Sequence, residues 1–154
     1  MVVRVVGLLV ALFCVGGAAN AAAPSSPCKL ATVAQVKAAF GGAVAAGKVD
    51  NSLPSAPTCH FKVTHSNLGI NGEAVVFVTP GQSASTFKIA KKYVPGAVTV
   101  TGVGTAAFYN PHTTSIELLK GNAVASAQGI FFGANAAKVK ADVIVLAKAV
   151  AKNL

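Results

Sequence analysis

Apolar and polar residues follow three different patterns along this chain, and each predicts a different kind of segment. Val5 to Val15 is an unbroken apolar or small run behind Arg4, followed by Ala19-Asn20-Ala21. That layout matches a cleaved export leader over residues 1–21, with a short Ala/Pro/Ser spacer at 22–27 and a single folded domain over 28–154. An uncleaved anchor is the alternative, because Val5 to Ala23 carries no charge and nearly reaches membrane-spanning length.

Beyond the spacer, helical spacing alternates with strand spacing. Thr32 followed three residues later by Gln35 forms a capping-box signature. It predicts a short helix over Val33 to Phe40, ended by Gly41-Gly42, with Leu30, Val33, Val36 and Phe40 facing inward. Residues 42–57 read as a loop. From Cys59 to His65, Cys59, Phe61 and Val63 alternate with His60, Lys62 and Thr64, the period-two pattern of a half-buried strand. Glu73 to Thr79 is a second strand carrying Val75, Val76, Phe77 and Val78, and the Asn/Gly-rich 66–72 turn makes the two an antiparallel hairpin.

Ser83 to Tyr93 reads as a middle helix with Phe87, Ala90, Tyr93 and Val94 on one side and Lys88, Lys91 and Lys92 on another. Val98 to Val100, Ala106 to Tyr109, Thr114 to Leu119 and Asn122 to Phe131 are extended segments. Ala134 to Lys152 closes the chain as a long helix whose Val139, Val143, Leu146 and Val150 recur at helical spacing. Such a stripe must lie across a sheet. The expected fold is therefore α+β: a mostly antiparallel sheet of five to six strands, packed by an N-terminal, a middle and a long C-terminal helix.

The cysteines sharpen this picture. Cys14 lies inside the leader and follows Phe13, so no lipid-attachment motif surrounds it, and its removal leaves Cys28 and Cys59 in a chain that matures outside the reducing cytosol. One internal pairing is open to them, and a Cys28–Cys59 disulfide is expected. Neither cysteine sits in a CxxC motif, so no metal site is predicted.

Charge narrows the partners. The full chain holds 13 Lys and Arg against 4 Asp and Glu, a net +9, yet its one arginine, Arg4, belongs to the leader. Guanidinium groups are the usual bidentate readers of bases, so sequence-specific nucleic-acid recognition is not expected. A weak attraction to anionic polymers or membrane surfaces follows from net charge alone, with Lys88, Lys91 and Lys92 as the candidate basic patch.

Signals for catalysis are sparse. Glu117 and His112 sit five apart across a strand start, which sends them to opposite faces, and the odd spacing of His60 and His65 does the same. Gly102-Val103-Gly104-Thr105-Ala106-Ala107 fits the letters of a dinucleotide fingerprint, but Asn110-Pro111 arrives before a helix can form and no acidic residue follows at the needed distance. It reads as a glycine-eased turn between strands. Phe131, Phe132 and Tyr109 read as core, with an apolar pocket as the alternative. No catalytic residues, cofactor or metal are predicted; the expected role is a non-catalytic binding module for an envelope protein or a small ligand.

Taken together, Cys28-Lys29-Leu30-Ala31-Thr32, Val36, Gly41, Cys59, the Gly102 to Ala107 turn and the closing Ala-rich helix resemble the small exported or lipid-anchored domains of unknown function found in actinobacteria. Those domains begin with Cys-x-Leu-x-Thr and a helix, place a second cysteine on the first strand and carry a Gly-x-Gly-Asp-Ala-like turn. This chain departs from them at Thr105, where an acidic residue is usual, and at His60, where an aromatic is common. The resemblance implies an extracytoplasmic, non-catalytic module and transfers no site.

Overall fold

A computed structural model describes residues 26–54 and 56–154. The expected leader and residues 22–25 of the spacer lie outside the described residues. A single 3-10 turn at Pro27–Lys29 leads into α1, Val33–Phe40, whose start is fixed by reciprocal capping. The Gln35 amide donates to Thr32 Oγ1 at 3.2 Å and the Thr32 amide donates to Gln35 Oε1 at 2.8 Å. Gly41 ends the helix at φ 68°, a conformation glycine adopts without steric cost. Val36, Ala39 and Phe40 form its buried stripe, whereas Val33, expected to face inward, occupies the first helical position and is 38% exposed.

The strands are β1, Ala43–Val44; β2, Lys48–Asp50; β3, Thr58–Thr64; β4, Gly72–Pro80; β5, Val98–Val100; β6, Ala106–Asn110; β7, Ser115–Lys120; and β8, Ala123–Ile130. They form one eight-stranded antiparallel sheet in the order β1-β3-β4-β8-β7-β6-β5, with β2 also paired to β3. The fold class is α+β as expected, but the sheet exceeds five to six strands. Both extra strands fall in the segment expected to be a loop. They are two and three residues long, too short to show alternation, and exist because they pair with the edge of β3.

Alternation along the strands separates two faces. Ile116, Leu118, Ala107, Tyr109, Ala125 and Ala127 belong to the main core, under α1 and α3 (Ala136–Asn153). Asn135 caps α3 by accepting from the amides of Ala137 and Lys138, which moves the start two residues past the expected position. Val139, Val143, Leu146 and Val150 are buried as the spacing predicts. At Gly129 the helix comes so close that a Cβ would stand 2.9 Å from Val143 Cγ2 and 3.2 Å from Phe40 Cε1. Small residues on β8 thus set how near α3 can lie.

The second face carries α2, Ala84–Lys92, started by Ser83, which accepts from the Thr86 amide at 3.1 Å. Phe87 packs on Phe108 with ring centroids 5.2 Å apart, and with Leu119 they form a separate small core. Of the residues expected to share the inward side, Phe87 is buried and Val94 half-buried, but Ala90 is exposed and Tyr93 is 79% exposed. Six residues of helix rotate Tyr93 about 120° away from Phe87, so the two do not share a stripe.

The Cys28–Cys59 disulfide is present, joining the turn before α1 to β3 with Cα atoms 5.0 Å apart and a separation of 31 residues. Cys59 is fully buried in the main core. Such bonds persist in oxidising compartments. Among the described residues no helix is long and apolar enough to cross a membrane.

Replacing both Cys28 and Cys59 with serine should lower unfolding free energy by about 3–4 kcal/mol in the chain-entropy estimate. Urea titrations should show reductant destabilising the natural protein and leaving the double variant unmoved. Gly129→Val should lower stability by about 1–3 kcal/mol, because the added side chain lifts α3 from the sheet; an unchanged urea midpoint would show that α3 does not pack this closely.

Candidate functional site

The titratable groups separate into small, unrelated sets. Glu117, at the middle of β7, pairs in register with Ser126 on β8 and Phe108 on β6, beneath α2. Ser115 Oγ and Ser126 Oγ both donate to its Oε1, at 2.8 and 2.9 Å. Burial pushes its carboxyl above the ordinary value of 4.5, with the two serine hydroxyls acting in the opposite direction. Among the described residues it is the one ionisable side chain lining a cavity of about 100 Å³ walled by Phe87, Phe108 and Val124.

His112 has a different partner: its Nε2 lies 3.1 Å from the Pro95 carbonyl oxygen, in the turn between β6 and β7. Glu117 and His112 are therefore committed to separate contacts. His60 Nδ1 lies 3.2 Å from Glu73 Oε1 and its Nε2 lies 2.8 Å from Thr58 Oγ1, while His65 stands past the end of β3 at φ 51°. Among the described residues no group of three or more His, Cys, Asp or Glu is placed to hold a metal ion.

A larger concavity lies at one end of the strands. The β6–β7 turn and the connection from β8 to α3 enclose a cleft of about 420 Å³, within the size range of small-molecule sites. Its wall is mostly apolar, from Ile130, Phe131, Phe132 and Val139, with His112, Thr113, Thr114 and Gln128 along one side. The polar side is held rigidly. Gln128 Nε2 donates to the Thr113 carbonyl at 2.7 Å, and Thr114 Oγ1 donates to the Gly129 carbonyl. Thr114 itself sits at φ 51°, an uncommon conformation for a β-branched residue.

Comparison with known proteins finds no family model, no curated protein and no solved structure that matches this chain. The cleft must therefore be read from its own geometry.

The aromatic residues expected in the core divide. Phe131 is buried and stacks on Phe40 with centroids 4.9 Å apart, and Tyr109 is buried beneath the Lys140 ammonium, which lies 4.9 Å from its ring centroid. Phe132 is instead 90% exposed. The chain reverses here in a tight turn, the Ala134 amide donating to the Phe131 carbonyl at 3.2 Å with Gly133 at φ 84°, so Phe132 stands at the turn's outer corner, on the rim of the cleft. No local signal marks Thr113, Thr114 and Gln128 as lining residues, since only the pairing of β7 with β8 brings them together.

The lysines of the expected patch are also distributed. Lys88 and Lys91 line a basin of about 410 Å³ beside the Gly102 to Thr105 turn, with Lys91 Nζ donating to Thr99 Oγ1, while Lys92 lies outside that lining.

The raised Glu117 carboxyl generates a pH prediction. Below 4.5 the group is protonated in folded and unfolded chains alike; above it the unfolded chain releases the proton that the folded chain retains, so stability falls as pH rises through the folded value. Between about pH 4 and pH 7 the natural protein should lose more melting temperature than Glu117→Gln, whose amide oxygen still accepts from both serines. Parallel pH profiles for the two proteins would show that the carboxylate is not desolvated.

Proposed function

We propose that this protein is an exported, non-catalytic binding module that takes a small, largely flat apolar ligand with a polar edge in the cleft between the β6–β7 turn and the β8–α3 connection. The observation that carries the reading is Phe132, a large aromatic side chain almost wholly exposed on the rim of an apolar cleft of about 420 Å³. Leaving such a surface in water forgoes roughly 1.5–3 kcal/mol of burial, which a ligand laid against the ring recovers. Gln128 and Thr114 already donate to the backbone carbonyls of Thr113 and Gly129, and Thr113 Oγ1 pairs with Ser115 Oγ, so they present fixed edges rather than mobile groups.

Export is supported by the leader pattern of residues 1–21, by the disulfide and by the resemblance to exported actinobacterial domains. The non-catalytic character is supported by Glu117 and His112 holding separate partners.

The test is an amide-resolved titration of the mature chain with a panel of planar aromatic alcohols and amines. Shifts should concentrate at His112 to Thr114 and Gln128 to Ala134. Phe132→Ala should weaken the response by about tenfold while leaving the melting temperature unchanged, since the side chain contributes little to the folded core. Shifts scattered over the surface, or an unaltered response in the variant, would remove the cleft from consideration; conversion of any panel member to product would overturn the non-catalytic reading.

A further inference from the structure

The turn that imitates a dinucleotide fingerprint lies among lysines that are far apart in sequence. Gly102 and Gly104 both adopt positive φ, 74° and 57°, and Val103 between them is buried, pinning the turn to the main core. A Cβ at Gly102 would meet nothing within 4 Å, so the backbone there faces open space. On one side of the turn lies the basin lined by Lys88 and Lys91. On the other is a second basin, of about 470 Å³, lined by Lys120 at the end of β7 and by Lys148 and Lys152 one turn apart on α3. Gly102, Gly104 and Thr105 line both basins, so the turn is a low ridge between them.

We infer that this ridge and its five flanking lysines form a binding track for a linear polymer of phosphate groups, distinct from the cleft that holds Phe132. Among the described residues no carboxylate lines either basin, so no ion pair there competes for the ammonium groups. Lys120 Nζ donates one hydrogen bond, to the Ala151 carbonyl at 2.7 Å, which fixes its position and leaves further donors for a ligand. Lys91 is likewise fixed by Thr99.

The chemistry favours a plain phosphate chain over a nucleic acid held through its bases. Lysine binds phosphate as a point charge and reads nothing further. Among the described residues there is no arginine to address base edges, and neither basin presents an exposed aromatic ring for bases to stack on. A single phosphate would occupy one basin; a polymer crosses the glycine ridge, where the missing side chain at Gly102 permits close approach of a chain to the backbone. Lys148 and Lys152, and Lys120 through its bond to the Ala151 carbonyl, also complement the partial negative charge of the last carbonyls of α3, but this does not account for the lysines of α2.

The test measures binding of long-chain inorganic polyphosphate to the mature chain. Affinity should fall steeply with salt, with a log–log slope of about −3 to −4 for five lysines. Two variants, Lys88→Gln with Lys91→Gln, and Lys120→Gln with Lys148→Gln and Lys152→Gln, should each weaken binding by about tenfold or more. A control carrying Lys37→Gln, Lys62→Gln and Lys138→Gln removes the same charge as the second variant from elsewhere and should change affinity by less than about threefold. An equal loss in the control would overturn the track in favour of net charge. Displacement of the polymer by orthophosphate at matched phosphate concentration would also overturn it, as would tighter binding, per phosphate, to phosphatidylglycerol vesicles than to the free polymer. The Phe132→Ala variant should bind polyphosphate normally, which separates the fate of this site from that of the cleft.

Discussion

The sheet depends on its last strand. β1 to β4 make one antiparallel group and β5 to β7 another, and only β8 joins them, pairing with β4 from Glu73↔Ile130 to Pro80↔Ala123 and with β7 from Ser115↔Gln128 to Lys120↔Ala123. Each group leaves a row of unpaired backbone donors and acceptors until β8 enters. A buried strand carrying unmet hydrogen bonds is costly. The β4–β8 pairs join residues far apart in sequence, so the entropy of closing that long loop opposes the pairing that unites the sheet. The Cys28–Cys59 bond fixes the approach to α1 against β3 on the first group, while Asn153 Nδ2 donates to the Leu30 carbonyl at 2.8 Å and ties the end of α3 back to the same region. Beginning and end of the domain are thereby held together on one face.

This central position explains an unusual composition. The residues of β8 that face α3 are Ala125, Ala127 and Gly129, not the Val and Ile typical of a buried strand. A helix resting on large side chains stands off from the sheet; here the bulk comes from Val139, Val143 and Leu146 of α3 and from Phe40 of α1. Gly129 also accepts, through its carbonyl, the hydroxyl of Thr114, so one position governs both the seat of α3 and the shape of the cleft. Core packing and candidate site are linked at that residue.

How much of this could be read beforehand differs from element to element. α1 was legible to the residue because its cap is written in local chemistry, Thr32 with Gln35 and then Gly41. The hairpin of β3 and β4 was legible because alternation is strong in Cys59, Phe61 and Val63. β1 and β2 were not, since a two-residue or three-residue strand is defined by its neighbour and leaves no periodic trace. The inward side of α2 was misjudged because a nine-residue helix resting chiefly on Phe87 needs little else buried, and Tyr93 falls on the far side of the wheel. Phe132 reads as core by its apolar character, but it falls in the turn between Phe131 and Ala134, and a turn corner carries its side chain into solvent. The cleft and the lysine-flanked ridge depend on which strands become neighbours, information absent from any single segment.

The two ends of the sheet differ in a way that α3 makes explicit. Its 18 residues rise through about 27 Å, with Ala136 and Val139 lining the apolar cleft and Lys148 and Lys152 lining the cationic basin. β7 and β8 run between the same two places, beginning and ending at opposite sites. The cleft end exposes Phe132; the ridge end presents lysine without carboxylate. An apolar contact is largely insensitive to salt, whereas a lysine–phosphate contact weakens as counterions compete. The two proposed sites would therefore obey different rules, and α3, packed along the sheet between them, fixes their separation.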